Sequence, residues 1–377
     1  MSRPLAFIAT TFVFLVLLTA GASGAPATGT VFAWGCGLWG SGQCTVPAAA
    51  LSGVKAVAAG DRHSVALKED GSVLAWGCGG TPFVICDVPP AAASGVIAIA
   101  AGNFQSLALR QDGRVVAWGC PGTADHGQCA VPAAASSGVT AIASAFAHSL
   151  ALKQDGSVLA WGCATPDVDA GQCDVPASAS SGVTAIAAGV SHSLAVKNGG
   201  VLTWGCRFSD FGQCAVPAAA ASGVTAVAAA DRQSLALKQD GSMLAWGCGL
   251  NSNPGVCSVP DGAKSGVIAI AASLSDNLAL KADGTVIAWG CGGGNFGQCD
   301  VPSGLSGATA IAAGSDHSLA VATLPPPPPI TCVVPNVVGK PLLKARARIL
   351  KAHCKAGKVT RKRSTLRKKG RVLVQSP

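Results

Sequence analysis

An all-β propeller of seven blades is the fold class the sequence predicts, and three observations predict it. The triplet Trp-Gly-Cys recurs seven times, at Trp34, Trp76, Trp118, Trp161, Trp204, Trp246 and Trp289, in steps of 42 or 43 residues. Each unit holds short β-rich runs separated by turn residues, with no helical spacing of its apolar positions. The array begins with one piece of a unit and ends with the complementary piece. A period of this length marks a repeat architecture in which each unit buries its faces against its neighbours.

One unit justifies the strands in order. Ser181-Gly182-Val183-Thr184-Ala185-Ile186-Ala187-Ala188-Gly189 reads as a first strand, and His192-Ser193-Leu194-Ala195-Val196-Lys197 as a second. Val201-Leu202-Thr203-Trp204-Gly205-Cys206 reads as a third, and Gly212-Gln213-Cys214-Ala215-Val216-Pro217 as a fourth that ends at its proline. Between the second and third runs stands Asp-Gly at Asp70, Asp112, Asp155, Asp240 and Asp283, and Asn-Gly at Asn198. These pairs suit a tight type I′ hairpin, because both residues tolerate positive φ. The first unit begins at the third strand, Thr30 to Trp34, and the last stops after the second, Thr309 to Gly314 and His317 to Val321. Joined, the two ends make one blade, which closes a ring and hides the sheet edges.

The cysteines fit the same frame. Within each unit the triplet's cysteine is followed eight to ten residues later by another. The pairs are Cys36 with Cys44, Cys78 with Cys86, Cys120 with Cys129, Cys163 with Cys173, Cys206 with Cys214, Cys248 with Cys257, and Cys291 with Cys299. A structural zinc site usually takes four ligands; each unit offers two and no histidine at ligand spacing, so seven local disulfides are expected and no metal. The tryptophans are expected in the blade interiors, where burying one contributes about 2–3 kcal/mol. The position before Ser-Leu-Ala is His63, Gln105, His148, His192, Gln233, Asp276 or His317. A ring of histidines could bind metal or sense pH, but the Gln and Asp substitutions favour a hydrogen-bonding role in the strand turn. No nucleophile–base set, phosphate loop or carboxylate pair stands out, so no catalytic residue and no cofactor are expected.

The ends of the chain set its context. Residues 1–24 read as a secretory signal: Arg3, an apolar stretch from Leu5 to Leu18, and small residues at Ala22-Ser23-Gly24. Export agrees with an even cysteine count of 16, since disulfides persist in oxidising compartments. After cleavage no span is expected. From Leu324 onward the chain carries fourteen Lys/Arg and no Asp or Glu, whereas the preceding part is mildly acidic. The asymmetry marks two domains with different partners. Residues 25–323 form the propeller, 324–330 a stiff linker around Pro325 to Pro329, and 331–377 a second domain.

Two family resemblances follow from these motifs. Ala-Gly-x-x-His-Ser-x-Ala-Leu, Asp-Gly, Trp-Gly and Gly-Gln across residues 30–322 resemble the regulator-of-chromosome-condensation repeat. Within that family, Val131-Pro132-Ala133-Ala134 and the unit from Ser181 to Gly205 are most similar to the secreted propeller-type β-lactamase inhibitory proteins. The likeness implies a secreted, non-enzymatic binder. In those inhibitors the loops after the Ala-Gly step are rich in Trp and Tyr, whereas here only Phe104 and Phe146 are aromatic. Nucleotide exchange, known in chromatin-bound members, depends on an inserted wedge that is not visible in this sequence. In the tail, Val334-Pro335-Asn336-Val337-Val338-Gly339-Lys340, Leu343 to Ala352, Gly357-Lys358-Val359 and Lys369-Gly370-Arg371-Val372 resemble a PASTA domain. That likeness implies a small C-terminal α+β (PASTA-like) domain, an association with cell-wall muropeptide or β-lactam recognition, and a bond between Cys332 and Cys354.

Topology selects a face. In an antiparallel blade the first–second and third–fourth loops share one end, which gathers the variable loops between the paired cysteines. That end should display Trp39, Phe83, Phe104, Phe146, Phe208, Phe211 and Phe296 with Arg62, Arg207 and Arg232. Aromatics and arginines dominate interface hot spots, although several of these phenylalanines could instead pack beneath their own loops. The expectation is a secreted monomeric binding protein. A protein or glycan partner sits on the loop face, peptidoglycan or an anionic wall polymer on the basic tail, and nucleic acid on neither. The alternatives are an inhibitor of β-lactamases or penicillin-binding proteins, and an enzyme with a site at the ring's centre.

Overall fold

The computed structural model describes residues 29–36, 40–79, 84–120, 125–207, 210–248, 254–274, 276–291, 296–323, 336–338, 340, 341, 344 and 345. The chain divides into two compact units, 1–323 and 324–377. The first is a ring of seven antiparallel sheets of three strands each. Blades 1 to 6 occupy residues 54–76, 96–119, 139–162, 183–205, 224–247 and 267–289. Blade 7 joins both ends of the array: Thr30–Gly35 pairs with His317–Ala322, which pairs with Ala308–Ala313. The expected closure is therefore present, with Thr30 opposite Ala322 and Trp34 opposite Ser318.

Residue size explains the order of strands from axis to rim. First strands such as Val224–Ala229, VTAVAA, and Val54–Ala59, VKAVAA, are rich in alanine. Small side chains let seven strands converge near the axis. Second strands are buried almost throughout; Leu107, Leu150, Leu194, Leu235, Leu278 and Leu319 have no exposed surface. Seven hydrophobic clusters fill the seams between consecutive blades. In one, Leu319 and Val321 of blade 7 meet Val54, Ala66 and Trp76 of blade 1. Each first strand carries a register shift one residue in, as between Val54 and Ala56. Where that bulged residue is threonine its hydroxyl is used: Thr140 Oγ1 donates to the Leu152 carbonyl at 3.1 Å.

Two features differ from expectation. No fourth strand forms among the described residues. After the second cysteine the chain crosses from one end of the blade to the other and enters a short 3-10 turn, as at Ala48–Ala50. Pro47 precedes that turn in extended conformation, and Pro132, Pro176 and Pro217 do the same in other blades. Proline at that point has no amide hydrogen for a ladder, and the cystine holds the segment's start against the third strand. The hairpins also differ from type I′ in five blades. Gly71 is left-handed at φ 79° while Asp70 is not, and the loop closes through Gly71 N to Lys68 O and Lys68 N to Ser72 O. That is a three-residue loop, a type I turn followed by a left-handed glycine. Only Asn198-Gly199 has both residues left-handed, at 53° and 74°, with Lys197 paired to Gly200 across a two-residue turn.

Most of the second unit, where a small α+β domain is expected, lies outside the described residues. Lys344 and Ala345 are helical, and Val337 and Ala345 are buried. The expected Cys332–Cys354 bond, the signal segment and the proline linker lie outside the described residues.

Candidate functional site

Trp-Gly-Cys builds one rim of the ring. The glycine is left-handed in every unit, and at Gly77 a Cβ would lie 2.7 Å from the Gln43 backbone, so only glycine fits. The next residue is left-handed as well at Cys36, Cys120, Cys163, Cys206 and Cys248. Two such residues in succession turn the chain sharply out of the third strand. Each cysteine then bonds its expected neighbour. The seven disulfides are Cys36 to Cys44, Cys78 to Cys86, Cys120 to Cys129, Cys163 to Cys173, Cys206 to Cys214, Cys248 to Cys257, and Cys291 to Cys299. They span eight to ten residues, so every staple is local to its own unit.

Each braced loop leans on the following blade. The Trp76 indole N–H of blade 1 donates to the Gln43 carbonyl of the blade 7 loop at 2.9 Å, and the Ser64 hydroxyl donates to the same oxygen at 3.1 Å. The tryptophan bond recurs in all seven blades and closes on itself through Trp34 and Gln298, 264 residues apart. The glutamine of Gly-Gln-Cys was given no role by the sequence. It is fully buried at Gln43, Gln128, Gln172, Gln213 and Gln298, and its side-chain oxygen accepts the amide two residues before it, as from Ser41 at 2.6 Å. The signal was available in the fivefold recurrence of Gly-Gln-Cys. Ile85 and Val256 fill the place in two units, because there the carbonyl alone is needed.

The residues before Ser-Leu-Ala form a second ring, inside the first. His63, His148, His192 and His317 place Nε2 at 2.9–3.0 Å from Ser106, Ser193, Ser234 and Ser64 of the next blade. Gln105 donates to the Ala145 carbonyl and Gln233 to Asn277 Oδ1. Asp276 accepts from Ser318 at 3.3 Å and from Ser273. Every seam is thus latched by one polar side chain. Burial pushes His63 and His148 down to about 3, with the neighbouring histidine adding to it in each case, and pushes His192 and His317 down to about 4. Burial pushes Asp276 up to about 7 against its two serine donors, and Asp316 adds to the rise. No group of three or more metal-binding side chains occurs among the described residues.

The first loops and the cystine loops share one end, as topology requires. At its centre the seven first strands end around an axial recess lined by Gly60, Gly102, Ala145, Gly189, Ala230 and Gly314, with Phe146, Val190, Asp231, Leu274 and Ser315 at its mouth. A second recess lies between Asp61-Arg62 and Ile85, Asn103 and Phe104. Of the residues expected on this face, the fold brings Phe104 and Phe146 edge to face at 6.2 Å, with His126 6.0 Å from Phe146. It sets the Arg232 guanidinium 4.2 Å over the Phe211 ring. These phenylalanines and Phe296 are half-buried, and Arg62 and Arg207 are exposed. Trp39, Phe83 and Phe208 lie outside the described residues.

Sequence reasoning overlooked how charge divides between the two ends. Asp61, Asp231, Asp276 and Asp316 lie in first loops, and Asp125, Asp167, Asp169 and Asp210 in cystine loops. Asp87, Asp174 and Asp300 directly follow a second cysteine. Among the described residues, the Lys and Arg side chains of this end are Arg62, Arg207 and Arg232. Each is paired with an aspartate of the same end: Asp61 at 3.6 Å, Asp174, and Asp231 at 3.2 Å. At the other end, lysines at the ends of the second strands tie down the 3-10 turns, as Lys68 Nζ does on the Ala49 and Ser52 carbonyls, and offset the hairpin aspartates.

The profile of the regulator of chromosome condensation (RCC1) repeat matches residues 54–80 and 96–128. The fold is similar to Prp20p from Saccharomyces cerevisiae at 18% identity and a TM-score of 0.58, over 80% of this chain and 93% of that one. The report of that structure concerns its binding to Gsp1p and histones. The same yeast protein bound to Kap60 matches with 19% identity and a TM-score of 0.57, over 80% and 90% of the two chains. Human WBSCR16 matches at 17% identity and 0.53, over 78% of this chain and 99% of that one. No curated protein matches the sequence. At such identities the likeness is one of fold: the chain is a seven-bladed propeller, and the RCC1 repeat profile matches two stretches of it.

Proposed function

We propose that this chain is a binding protein exported to an oxidising compartment, whose cystine-loop face engages a protein partner. One observation carries the reading. Seven loops of differing sequence and length, each braced by its own disulfide and hydrogen-bonded to the next blade, gather on one end of an otherwise constant ring. Bracing removes loop entropy before binding, which is what a preorganised recognition surface requires. Phe104, Phe146, Phe211, Phe296, Arg62, Arg207 and Arg232, with Trp39, Phe83 and Phe208, are its proposed contact residues. The similar yeast propeller engages protein partners, which supports the class of function without transferring the partner. The basic tail is proposed to contact peptidoglycan or an anionic wall polymer, on its charge and its PASTA-like motifs alone.

Inhibition of β-lactamases gains little from the loops: their described aromatics are few and half-buried. An enzyme at the axis gains little from a recess lined mostly by alanine and glycine, with Asn103, Asp231 and serines as its polar groups.

The test of the loop face is affinity capture with the full chain and with a double variant at the axial mouth, Phe146→Ala with Leu274→Ala. Specific capture by the full chain that the variant loses supports the reading; identical capture by both sinks it. Sedimentation with purified peptidoglycan tests the tail, and equal retention with and without residues 331–377 removes that part.

A further inference from the structure

We infer that the partner of the loop face is a basic polypeptide, one that presents an apolar tip flanked by lysine or arginine. The inference rests on the loop face being the binding face and adds the chemistry of what it binds.

Charge and shape point to it independently. Eleven of the propeller's aspartates lie at the loop end with three arginines. Each arginine is already paired to one of them, so the surplus is negative and is spread around the rim rather than gathered at one point. Asp87, Asp125, Asp167, Asp210 and Asp300 are exposed, and they lie in or directly after the cystine loops of five different blades. Within the rim, the axial mouth is apolar in three blades: Phe146, Val190 and Leu274. Leu274 is 47% exposed, so the apolar side of the mouth is open to a partner. Beside the mouth, burial and the Asp61 charge push the Asp316 carboxyl up despite Arg62. An incoming cation there relieves a repulsion that the fold leaves in place. A centre apolar in three blades, ringed by exposed carboxylates, matches the general form of an interface, with a desolvated core inside a polar rim. Here the rim has one sign. A polyanion such as nucleic acid or an anionic wall polymer would be repelled by this end, and an acidic protein would be penalised for every unpaired carboxylate brought close.

The experiment uses the full chain and a fluorescent dodecalysine peptide. One variant neutralises the loop end with Asp87→Asn, Asp125→Asn, Asp167→Asn and Asp300→Asn. Its control neutralises the hairpin end with Asp70→Asn, Asp112→Asn, Asp155→Asn and Asp240→Asn. Dodecalysine should bind the native chain, weaken about tenfold on the loop-end variant and on raising salt severalfold, and be unchanged on the control. Equal weakening by both variants, or no dodecalysine binding, overturns the inference. If dodecalysine fails while capture sensitive to the Phe146→Ala, Leu274→Ala pair persists, the charge inference falls and the loop-face reading stands. If both fail, both fall. Melting curves of the two variants confirm folding before any binding is compared.

Discussion

Asp276 stands at a seam where four other blades place histidine and two place glutamine, and its carboxyl is held up near neutrality by burial. Its folded value lies above the ordinary one, so the folded state holds an extra proton between about pH 4 and pH 7. The stability this contributes is present at low pH and is lost as pH rises through about 7. Asp276→Asn keeps an acceptor for the neighbouring serines without the charge. It should raise the melting temperature at pH 8 and much less at pH 4.5, with a gain of about 1–3 kcal/mol at the higher pH. Calorimetry at the two pH values decides it; an equal shift at both would show that the carboxyl is not buried as an ion. Trp76 tests the outer ring. Trp76→Phe keeps most of the apolar volume but removes the donor to Gln43. It should cost about 1 kcal/mol or more, read as a lower denaturation midpoint.

Among elements, the hairpins separate two turn chemistries that look alike in sequence. Asn198 is left-handed and Asp70 is not. Asn198→Val should therefore destabilise by about 1–2 kcal/mol through backbone strain. At Asp70 the loss is that of the side-chain acceptor for the Ser72 amide and hydroxyl, and Asp70→Val should cost less. Equal penalties at the two sites would contradict the assigned geometry. The cystines act at the same scale. Replacing Cys163→Ser together with Cys173→Ser releases the longest of the seven braced loops and should cost about 2–3 kcal/mol. It should leave the Trp204 bond to the Gln172 carbonyl in place, since that contact is made from the next blade. Mapping disulfides by mass spectrometry before and after mild reduction checks that each bond closes inside its own unit.

For the whole molecule the latch ring makes stability depend on pH in a definite direction. His63, His148, His192 and His317 have folded values of about 3 to 4 against an ordinary 6.5. The unfolded chain takes up protons on these side chains below about pH 6.5, and the folded chain does not. Stability from this source is complete above about 6.5 and declines as pH falls, at up to about 1.4 kcal/mol per unit for each histidine. Four histidines outweigh the opposite trend of Asp276, so the propeller should melt at markedly lower temperature at pH 4.5 than at pH 7. A flat profile would mean that the latches are hydrated. Because the seams are equivalent, the ring should unfold as one unit.

Much of this was legible in the sequence, and for a physical reason. A repeat must satisfy the same local constraints seven times, so the tryptophan, the left-handed glycine and the cysteine pairing stand out at a fixed period, and the half-units at the ends give away the closure. Strand count and turn type were not legible. Asp-Gly suits more than one hairpin, and only the pairing of Lys68 with Ser72, against that of Lys197 with Gly200, separates them. The fourth strand failed because proline and cystine act together on a segment whose composition alone reads as β. The role of Gln43 and its equivalents, the seam latches and the concentration of aspartates at one end all link residues of different blades. The sequence by itself determined the ring and its staples, since the sevenfold period, the complementary half-units at the ends and cysteines eight to ten residues apart are all visible along the chain. Only the tertiary structure decided what the loop end is, because its charge and its apolar centre are sums over seven blades that no single repeat contains.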